Sequence, residues 1–145
     1  MANYTAKVTS PKPVEEVFTY LANFSTAPEW DENTNSSDLT TGDPFVVGAK
    51  YEVVTEFGGR EMTLTYETVE IDRPNRVVLK SGTGMADITD TMTFKANPAG
   101  GTDVTYDANV KPKGLARILD PVFGLIFKRV GDKAVVGLRR ELDAK

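Results

Sequence analysis

The stretch VTYDANVKPKGLARILDPVFGLIFKRVGDKAVVGL, residues 104–138, changes its hydrophobic period part-way along. Up to Val110, apolar side chains fall on every second residue, which is the pattern of a strand with one buried face. From Gly114 onward they recur at helical spacing, in a stripe formed by Leu115, Ile118, Leu119, Val122, Ile126, Val130, Ala134, Leu138 and Leu142. We predict a C-terminal helix of about 28 residues, which Pro121 either kinks or restarts with Asp120 as the new N-cap.

Further alternating runs precede this stretch and are separated by turn-forming residues. Their inward faces are Tyr51, Val53, Thr55 and Phe57, then Met62, Leu64 and Tyr66, then Ile88, Asp90, Met92 and Phe94. Residues 76–81 form another strand, and residues 37–41 form a short one. Gly58-Gly59, 72–75, 82–84 and 97–101 supply the turns. A register shift before Val69 predicts a bulge near Glu67.

The N-terminal segment combines one strand with two helices. Tyr4, Ala6 and Val8 alternate as in a strand, and Val14, Val17, Phe18 and Leu21 mark one face of a helix. Pro13 suits the first helical position. Ser25 is the predicted cap of a short second helix that ends at Trp30.

The order of the elements is therefore strand, two helices, about six strands and a long helix. Strands grouped together, with helices before and after them, favour an α+β fold with an antiparallel sheet. The C-terminal stripe is the one long apolar element available to cover that sheet. We predict a single domain, residues 1–145, in which a curved sheet of about seven strands wraps around the C-terminal helix.

The composition excludes several classes of chemistry. The 145 residues include no Cys and no His, which removes thiol nucleophiles, disulfides, Ser-His sites and histidine metal sites. We expect no cofactor and no bound metal. The net charge of −4 disfavours nucleic-acid binding. The N-terminus has no apolar secretory region, and the longest apolar run, residues 122–127, is too short to insert in a membrane. The expected location is the cytoplasm.

Several segments resemble one known superfamily. They are Pro13–Phe18, Tyr20–Phe24, Pro28-Glu29-Trp30, Gly48, Asp72-Arg73-Pro74 before Val77-Val78-Leu79, and Gly101–Tyr106. Together they are similar to the SRPBCC superfamily (START/Bet v1-like), and most of all to its bacterial polyketide cyclase/dehydrase-like proteins. The resemblance implies the helix-grip fold, with a deep apolar cavity between the sheet and the C-terminal helix. Members include lipid and hormone binders and aromatic polyketide cyclases.

Asp90 is the candidate catalytic residue. It shares the inward face of its strand, where a carboxylate is costly unless it is paired, hydrogen-bonded or protonated. It is therefore a candidate general acid/base or ligand anchor. The alternatives are a solvated strand end or an ion pair with Arg or Lys. Tyr51, Tyr66 and Tyr106 also face inward, where they contact a ligand or pack in the sheet.

The predicted ligand-binding residues are Trp30, Tyr51, Val53, Met62, Leu64, Tyr66, Leu79, Met92, Tyr106, Ile118, Val122 and Ile126. The sequence does not decide whether these side chains line a cavity or fill a core, because both environments require apolar groups. Trp30 has the alternative role of packing the short helices onto the sheet. The acidic residues Glu29, Asp31 and Glu32 lack calcium-loop spacing and are interpreted as a solvated loop.

The sequence favours binding of a hydrophobic small molecule, lipid-like or polycyclic. The alternative is an enzyme of the polyketide cyclase/dehydratase type that uses Asp90 and the inward tyrosines without a metal or covalent intermediate. A partner-binding module is a third class, with no residue that favours it. Neither a monomer nor a homodimer is preferred.

Overall fold

The computed structural model describes residues 2–57, 59–82, 86–113 and 120–144. In chain order the elements are β1 (Ala2–Ser10), α1 (Val14–Ala22), a 3-10 turn (Phe24–Thr26), α2 (Ala27–Trp30), β2 (Thr34–Thr41), β3 (Lys50–Phe57), β4 (Arg60–Asp72), β5 (Arg76–Gly82), β6 (Ala86–Ala96), β7 (Thr102–Pro112) and α3 (Asp120–Ala144). None of the helices in these ranges is long and apolar enough to cross a membrane.

One antiparallel sheet contains all seven strands, in the order β1-β7-β6-β5-β4-β3-β2. From β2 to β7 each strand pairs with its neighbour in sequence. β1 pairs with β7 at the far edge, from Ala2 opposite Val110 to Ser10 opposite Thr102. α3 packs against β1 and α2. This curved sheet with its C-terminal helix confirms the predicted α+β helix-grip architecture.

α1 has the buried face that the spacing of its apolar residues predicted, but it begins one residue later than predicted. Val17, Phe18 and Leu21 are fully buried, and two glutamates lie in the first turn, where the helix dipole favours negative charge. Pro13 has extended backbone geometry and is the N-cap, not the first helical residue.

The predicted cap of the short second helix, Ser25, was wrong, because the N-cap of α2 is Thr26, whose side chain makes no capping hydrogen bond. Asn23 is the cap of the 3-10 turn, and its Oδ1 accepts a hydrogen bond from the Ser25 amide at 3.2 Å. Asn is as good a cap as Ser because its short side chain reaches the free amides of the first turn. The Ser25 hydroxyl donates to the same oxygen.

Two strand predictions need small corrections. The bulge in β4 lies between Thr68 and Glu70, slightly beyond the predicted Glu67, because the buried alternation of Leu64 and Tyr66 continues through Thr68. β2 is longer than predicted and begins at Thr34, which pairs with Thr55 of β3.

The long helix lies close to its neighbours at two glycines. A Cβ at Gly131 would lie 2.7 Å from the ring of Tyr4, and a Cβ at Gly137 would overlap the backbone carbonyl of Trp30. α3 begins at Asp120 and has Pro121 in its first turn, where a missing amide costs no helical hydrogen bond. The predicted helical residues 114–119 lie outside the described residues.

Candidate ligand-binding cavity

A cavity of about 410 Å³ lies between the concave face of the sheet and α3. β3 and β4 contribute Val53, Met62 and Leu64 to its wall, and β6 contributes Ala86 and Ile88. β1, β7 and α3 complete the lining, including Tyr4, Ala108, Val110, Gly131 and Ala134. Most of the wall is therefore apolar.

Small side chains explain why this part of the sheet is not filled. Ala86 of β6 and Ala108 of β7 both face the cavity, where a larger residue would project into it. Further along the same two strands, the inward residues are Met92, Phe94 and Val104, which are buried in the core. The cavity thus lies where the inward residues become short.

Asp90 is the buried carboxylate of this cavity. It is 4% exposed, and its Oδ2 accepts a hydrogen bond from the Tyr106 hydroxyl at 2.9 Å. Burial raises the pKa of Asp90 to about 7; the Tyr106 bond lowers the pKa, and the nearby Asp31 charge raises it. In the described ranges no Arg or Lys side chain pairs with it, so the predicted alternative of an ion pair is not observed.

Two tyrosines accompany Asp90 on the cavity wall. Tyr106 is opposite Met92 in the β6–β7 register, and its ring lies edge-on to Trp30 with 5.8 Å between the centroids. Tyr66, in β4, is 8% exposed, and its hydroxyl makes no hydrogen bond with any described residue. Burial and the Asp90 charge raise the pKa of both phenols well above the ordinary value, so both are uncharged hydrogen-bonding groups.

Asp31 is a functional candidate that the sequence reasoning missed. It was interpreted as part of a solvated loop, but its side chain lines the cavity. Its Oδ1 accepts from the amide and the side chain of Asn33, both at 2.9 Å, and its Oδ2 accepts from Thr34 at 3.0 Å. Burial raises the pKa of Asp31, whereas these hydrogen bonds and Lys133 lower it. The Asp-x-Asn spacing of a side-chain turn was the available signal.

The neighbours of Asp31 do lie at the surface. Glu32 pairs with Arg140 at 3.2 Å, and Glu29 accepts from the Tyr20 hydroxyl at 3.0 Å. Within the described ranges, no three acidic side chains converge as they would around a metal ion. The acidic stretch is thus divided between surface contacts and one cavity residue.

The structure brings together about half of the predicted ligand-binding residues. Val53, Met62, Leu64, Tyr66 and Tyr106 line the cavity with Asp90. Trp30, Tyr51, Leu79 and Met92 are instead buried in the packed core, off the described cavity wall. Ile118 and the side chains of Val122 and Ile126 lie outside the described residues. Contact of these residues with a ligand stays a prediction.

Several cavity residues were not in the predicted set. They are Tyr4, Phe24, Thr34, Thr55, Arg60, Glu61, Ala86, Ile88, Ala108, Val110, Gly131 and Ala134, in addition to Asp31. Tyr4, Ile88 and Ala108 lie on alternating faces that the sequence had already identified, so the pattern could have included them. Phe24 gave no such signal, because its 3-10 turn is too short to show a period.

Solved structures with little sequence identity share this fold. A START superfamily protein from Mycobacterium smegmatis matches with a TM-score of 0.81 and 10% identity, covering 98% of this chain and 97% of that one. A protein from Thermus thermophilus matches with a TM-score of 0.79 and 16% identity, covering 97% of this chain and 96% of that one. The Zhui aromatase/cyclase from a Streptomyces species matches with a TM-score of 0.77 and 10% identity, covering 97% of this chain and 90% of that one. At these identities the likeness concerns the fold alone.

The sequence itself matches one family. No curated protein matches it, but the family described as polyketide cyclase / dehydrase and lipid transport matches residues 1–143. This match and the START-like fold confirm the predicted SRPBCC resemblance. The chain therefore belongs to the polyketide cyclase/dehydrase and lipid transport family.

Proposed function

We propose that this protein binds a hydrophobic small molecule, lipid-like or polycyclic, in the cavity between the sheet and α3. The observation that carries the proposal is a cavity of about 410 Å³ with a mostly apolar wall, next to a part of the same sheet face that is fully packed. Small-molecule sites typically enclose about 300–1,000 Å³ and combine apolar walls with a few polar groups. Asp90, Tyr66 and Tyr106 are the polar groups here.

The apolar wall supplies the binding free energy and the polar groups supply orientation. Burial of apolar surface contributes about 25 cal/mol per Å², so a bicyclic or larger ligand gains several kcal/mol from contact with the wall. A buried polar group needs a hydrogen-bond partner, so the polar end of the ligand is drawn towards Asp90 and Tyr66. We further propose that the protein acts in the cytoplasm, as a monomer or homodimer, and binds no nucleic acid.

Dye binding tests this proposal directly. We expect Nile red, a neutral hydrophobic dye, to bind at micromolar concentration with an increase in fluorescence. Ala108→Leu places a larger side chain in the cavity and should weaken dye binding about tenfold, or 1.4 kcal/mol. Ala96→Leu, at the exposed end of β6, is the matched control and should bind the dye as the wild type does.

Failure of the dye to bind the folded wild-type protein would show that the cavity does not accept hydrophobic molecules. Equal dye binding by Ala108→Leu would place the dye elsewhere, even if the affinity were high. Thermal unfolding of each variant checks that a loss of binding does not come from a loss of structure.

A second candidate function is a cyclase/dehydratase reaction, which the Tyr106–Asp90 hydrogen bond favours. A general base works best when its pKa lies near the working pH, and burial raises the Asp90 pKa to about 7. In an aldol-type ring closure, the Asp90 carboxylate would remove a proton from a carbon between two ketones. The Tyr66 hydroxyl would donate a hydrogen bond to the electrophilic carbonyl, and the cavity would fold the chain into a reactive shape.

Turnover separates the two functions. If Asp90 is the base, Asp90→Asn abolishes ring closure of a poly-β-ketone substrate at pH 7.5 but still binds Nile red. Unchanged turnover in that variant would remove Asp90 from the mechanism. Absence of turnover in the wild type, with dye binding intact, favours a binding protein.

A further inference from the structure

The charged groups around the cavity are unevenly placed. Asp90 lies on the inner wall and Asp31 lines the cavity at the end of α2, and both are acidic. Arg60 and Glu61, at the start of β4, also line the cavity, but both are exposed and their charges are opposite. In the described part of the chain, no Lys or Arg side chain lines the inner wall. Among the described residues, the charges on the inner wall are therefore negative.

Two polar atoms of the cavity wall have no hydrogen-bond partner among the described residues. The Tyr106 hydroxyl bonds to one oxygen of Asp90, but among the described residues nothing donates to Oδ1. The Tyr66 hydroxyl also has no partner in these ranges, although the residue is only 8% exposed. A carboxylate accepts several hydrogen bonds, and both groups need partners when a ligand displaces water from the cavity. A ligand with suitable donors can supply them.

An ammonium group matches these requirements better than the other common polar ends. It has three N–H donors, so one group can serve both Asp90 Oδ1 and the Tyr66 oxygen, whereas a hydroxyl has a single donor. Its positive charge is attracted by Asp90 and also by Asp31, whose charge the nearby Lys133 partly offsets. A ligand carboxylate would instead be buried beside two like charges, which is strongly unfavourable.

We propose that the cavity selects amphipathic ligands whose polar end is a protonated amine, held by the carboxylate of Asp90, and discriminates against ligands with a carboxylate at that end. The inference rests on the proposed binding function, because it specifies the ligand class for the same cavity. The apolar body of the ligand lies against Met62, Leu64 and Ile88, and its nitrogen lies between Asp90 and Tyr66.

Proton binding at Asp90 gives the selection a defined pH dependence. The titratable groups that face Asp90 are Tyr106 on β7, Tyr66 on β4 and Asp31 after α2, and the charge of Asp107 acts from the opposite face of the sheet. An ammonium binds the ionised carboxylate, so at a pH below about 7 a proton must leave Asp90 before the amine binds. Amine affinity should therefore weaken as the pH falls through 7, by about tenfold for each unit.

Three naphthalene probes with different polar ends test the inference. They are 2-(2-naphthyl)ethylamine, 2-(2-naphthyl)ethanol and 2-naphthylacetate, titrated into the full chain by calorimetry at pH 7.5. We expect the amine to bind about tenfold more tightly than the alcohol, or 1.4 kcal/mol, and the acetate to bind most weakly. Lowering the pH to 5.5 should weaken the amine at least tenfold and change the alcohol little.

Two Asp→Asn variants on β6 show whether the amine preference and its pH dependence come from Asp90. Asp90→Asn should reduce the amine to the affinity of the alcohol and remove its pH dependence, while the alcohol stays within about threefold of the wild type. Asp87→Asn is the matched control, because Asp87 is exposed and pairs with Lys113 at 3.1 Å, outside the cavity wall. It should keep the order of the three probes and the pH dependence of the wild type.

The outcomes separate this inference from the proposed function. Equal affinity of amine and alcohol, or tightest binding of the acetate, overturns the amine selection and leaves a hydrophobic cavity. Binding of none of the three also overturns it; Nile red then shows whether the cavity binds hydrophobic molecules at all. An amine preference that persists in Asp90→Asn assigns the cation to another group and overturns the role of Asp90.

Discussion

The two halves of β6, residues 86–90 and residues 92–94, present the same face of one strand with the same alternation. One half lines the cavity, whereas the other belongs to the packed core. Residues 92 and 94 belong to the packed core: Met92 is fully buried, and the Phe94 ring lies 5.3 Å from the ring of Phe18 on α1. Ala86, Ile88 and Asp90 line a cavity instead. The difference lies in what faces each half, since α1 packs on the half that contains Met92 and Phe94.

This comparison shows that alternation decides which way a side chain points and not what it meets there. The packed half contributes to stability because its side chains exclude water and lie in close contact. The cavity half gives up some of that contact and leaves a carboxylate with a single hydrogen bond from the described residues. The strand therefore joins a stabilising region to a binding region, and Asp90 lies at the boundary.

Truncating one apolar residue in each half of β6 tests the difference in packing. Met92→Ala should lower the free energy of unfolding by about 4 kcal/mol, because it removes a fully buried side chain and leaves a void. Ile88→Ala is the matched change on the same strand and should cost only about 1 kcal/mol, because Ile88 already faces a cavity. Urea unfolding at pH 7 measures both. Equal losses would show that the cavity half is as tightly packed as the core.

The dependence of stability on pH reports on Asp90, at the boundary between the two halves of β6. The Asp90 pKa is raised to about 7 in the folded protein from an ordinary value of 3.8, so the folded state holds the proton more tightly. The stability from that proton is fully present below about pH 3.8 and is lost as the pH rises through 7. Between pH 5 and pH 8 the loss is about 3 kcal/mol.

Asp90→Asn removes this loss, so the variant should be more stable than the wild type at pH 8 and should approach it at lower pH. Urea unfolding at several pH values measures the slope, to which Asp31 adds in the same direction because burial raises its pKa. The exposed Asp87→Asn serves as the control. A wild-type slope that survives in Asp90→Asn would assign the titration to another group.

The sequence predicts the architecture well because its signals are local. The change of period after Val110 and the turns between the strands are properties of neighbouring residues, and they led to the correct fold class. The inward direction of Asp90 followed in the same way from Ile88 and Met92. Where a local signal was ambiguous, as for the cap of α2, the error was one residue.

The cavity is harder to predict because its limits are set by contacts between distant segments. Leu79 and Met92 have the same alternation as Leu64 and Tyr66, but the first pair lies in the core and the second on the cavity wall. Asp31 has no period at all, since it follows a helix of only four residues. Its place at the cavity depends on how α2 packs against α3, which no short stretch of sequence encodes.

The smallest expected effect distinguishes two tyrosines that the sequence treats alike. Tyr106 donates to Asp90 at 2.9 Å, whereas Tyr66 makes no hydrogen bond with a described residue. Tyr106→Phe removes the bond and should cost about 1 kcal/mol of unfolding free energy at pH 8, where the carboxylate is ionised. Tyr66→Phe removes no bond to a described residue and should change stability by less than about 0.5 kcal/mol.

The pH dependence of stability shows whether the Tyr106 bond acts through the Asp90 carboxylate. Because the bond from Tyr106 lowers the Asp90 pKa, Tyr106→Phe should raise that pKa further and move the fall in stability to higher pH. Tyr66→Phe should leave the position of the fall unchanged. Urea unfolding of both variants between pH 5 and pH 9 tests this. If the two profiles coincide, the Tyr106 bond does not control the charge of Asp90, and the boundary between the halves of β6 is set by burial alone.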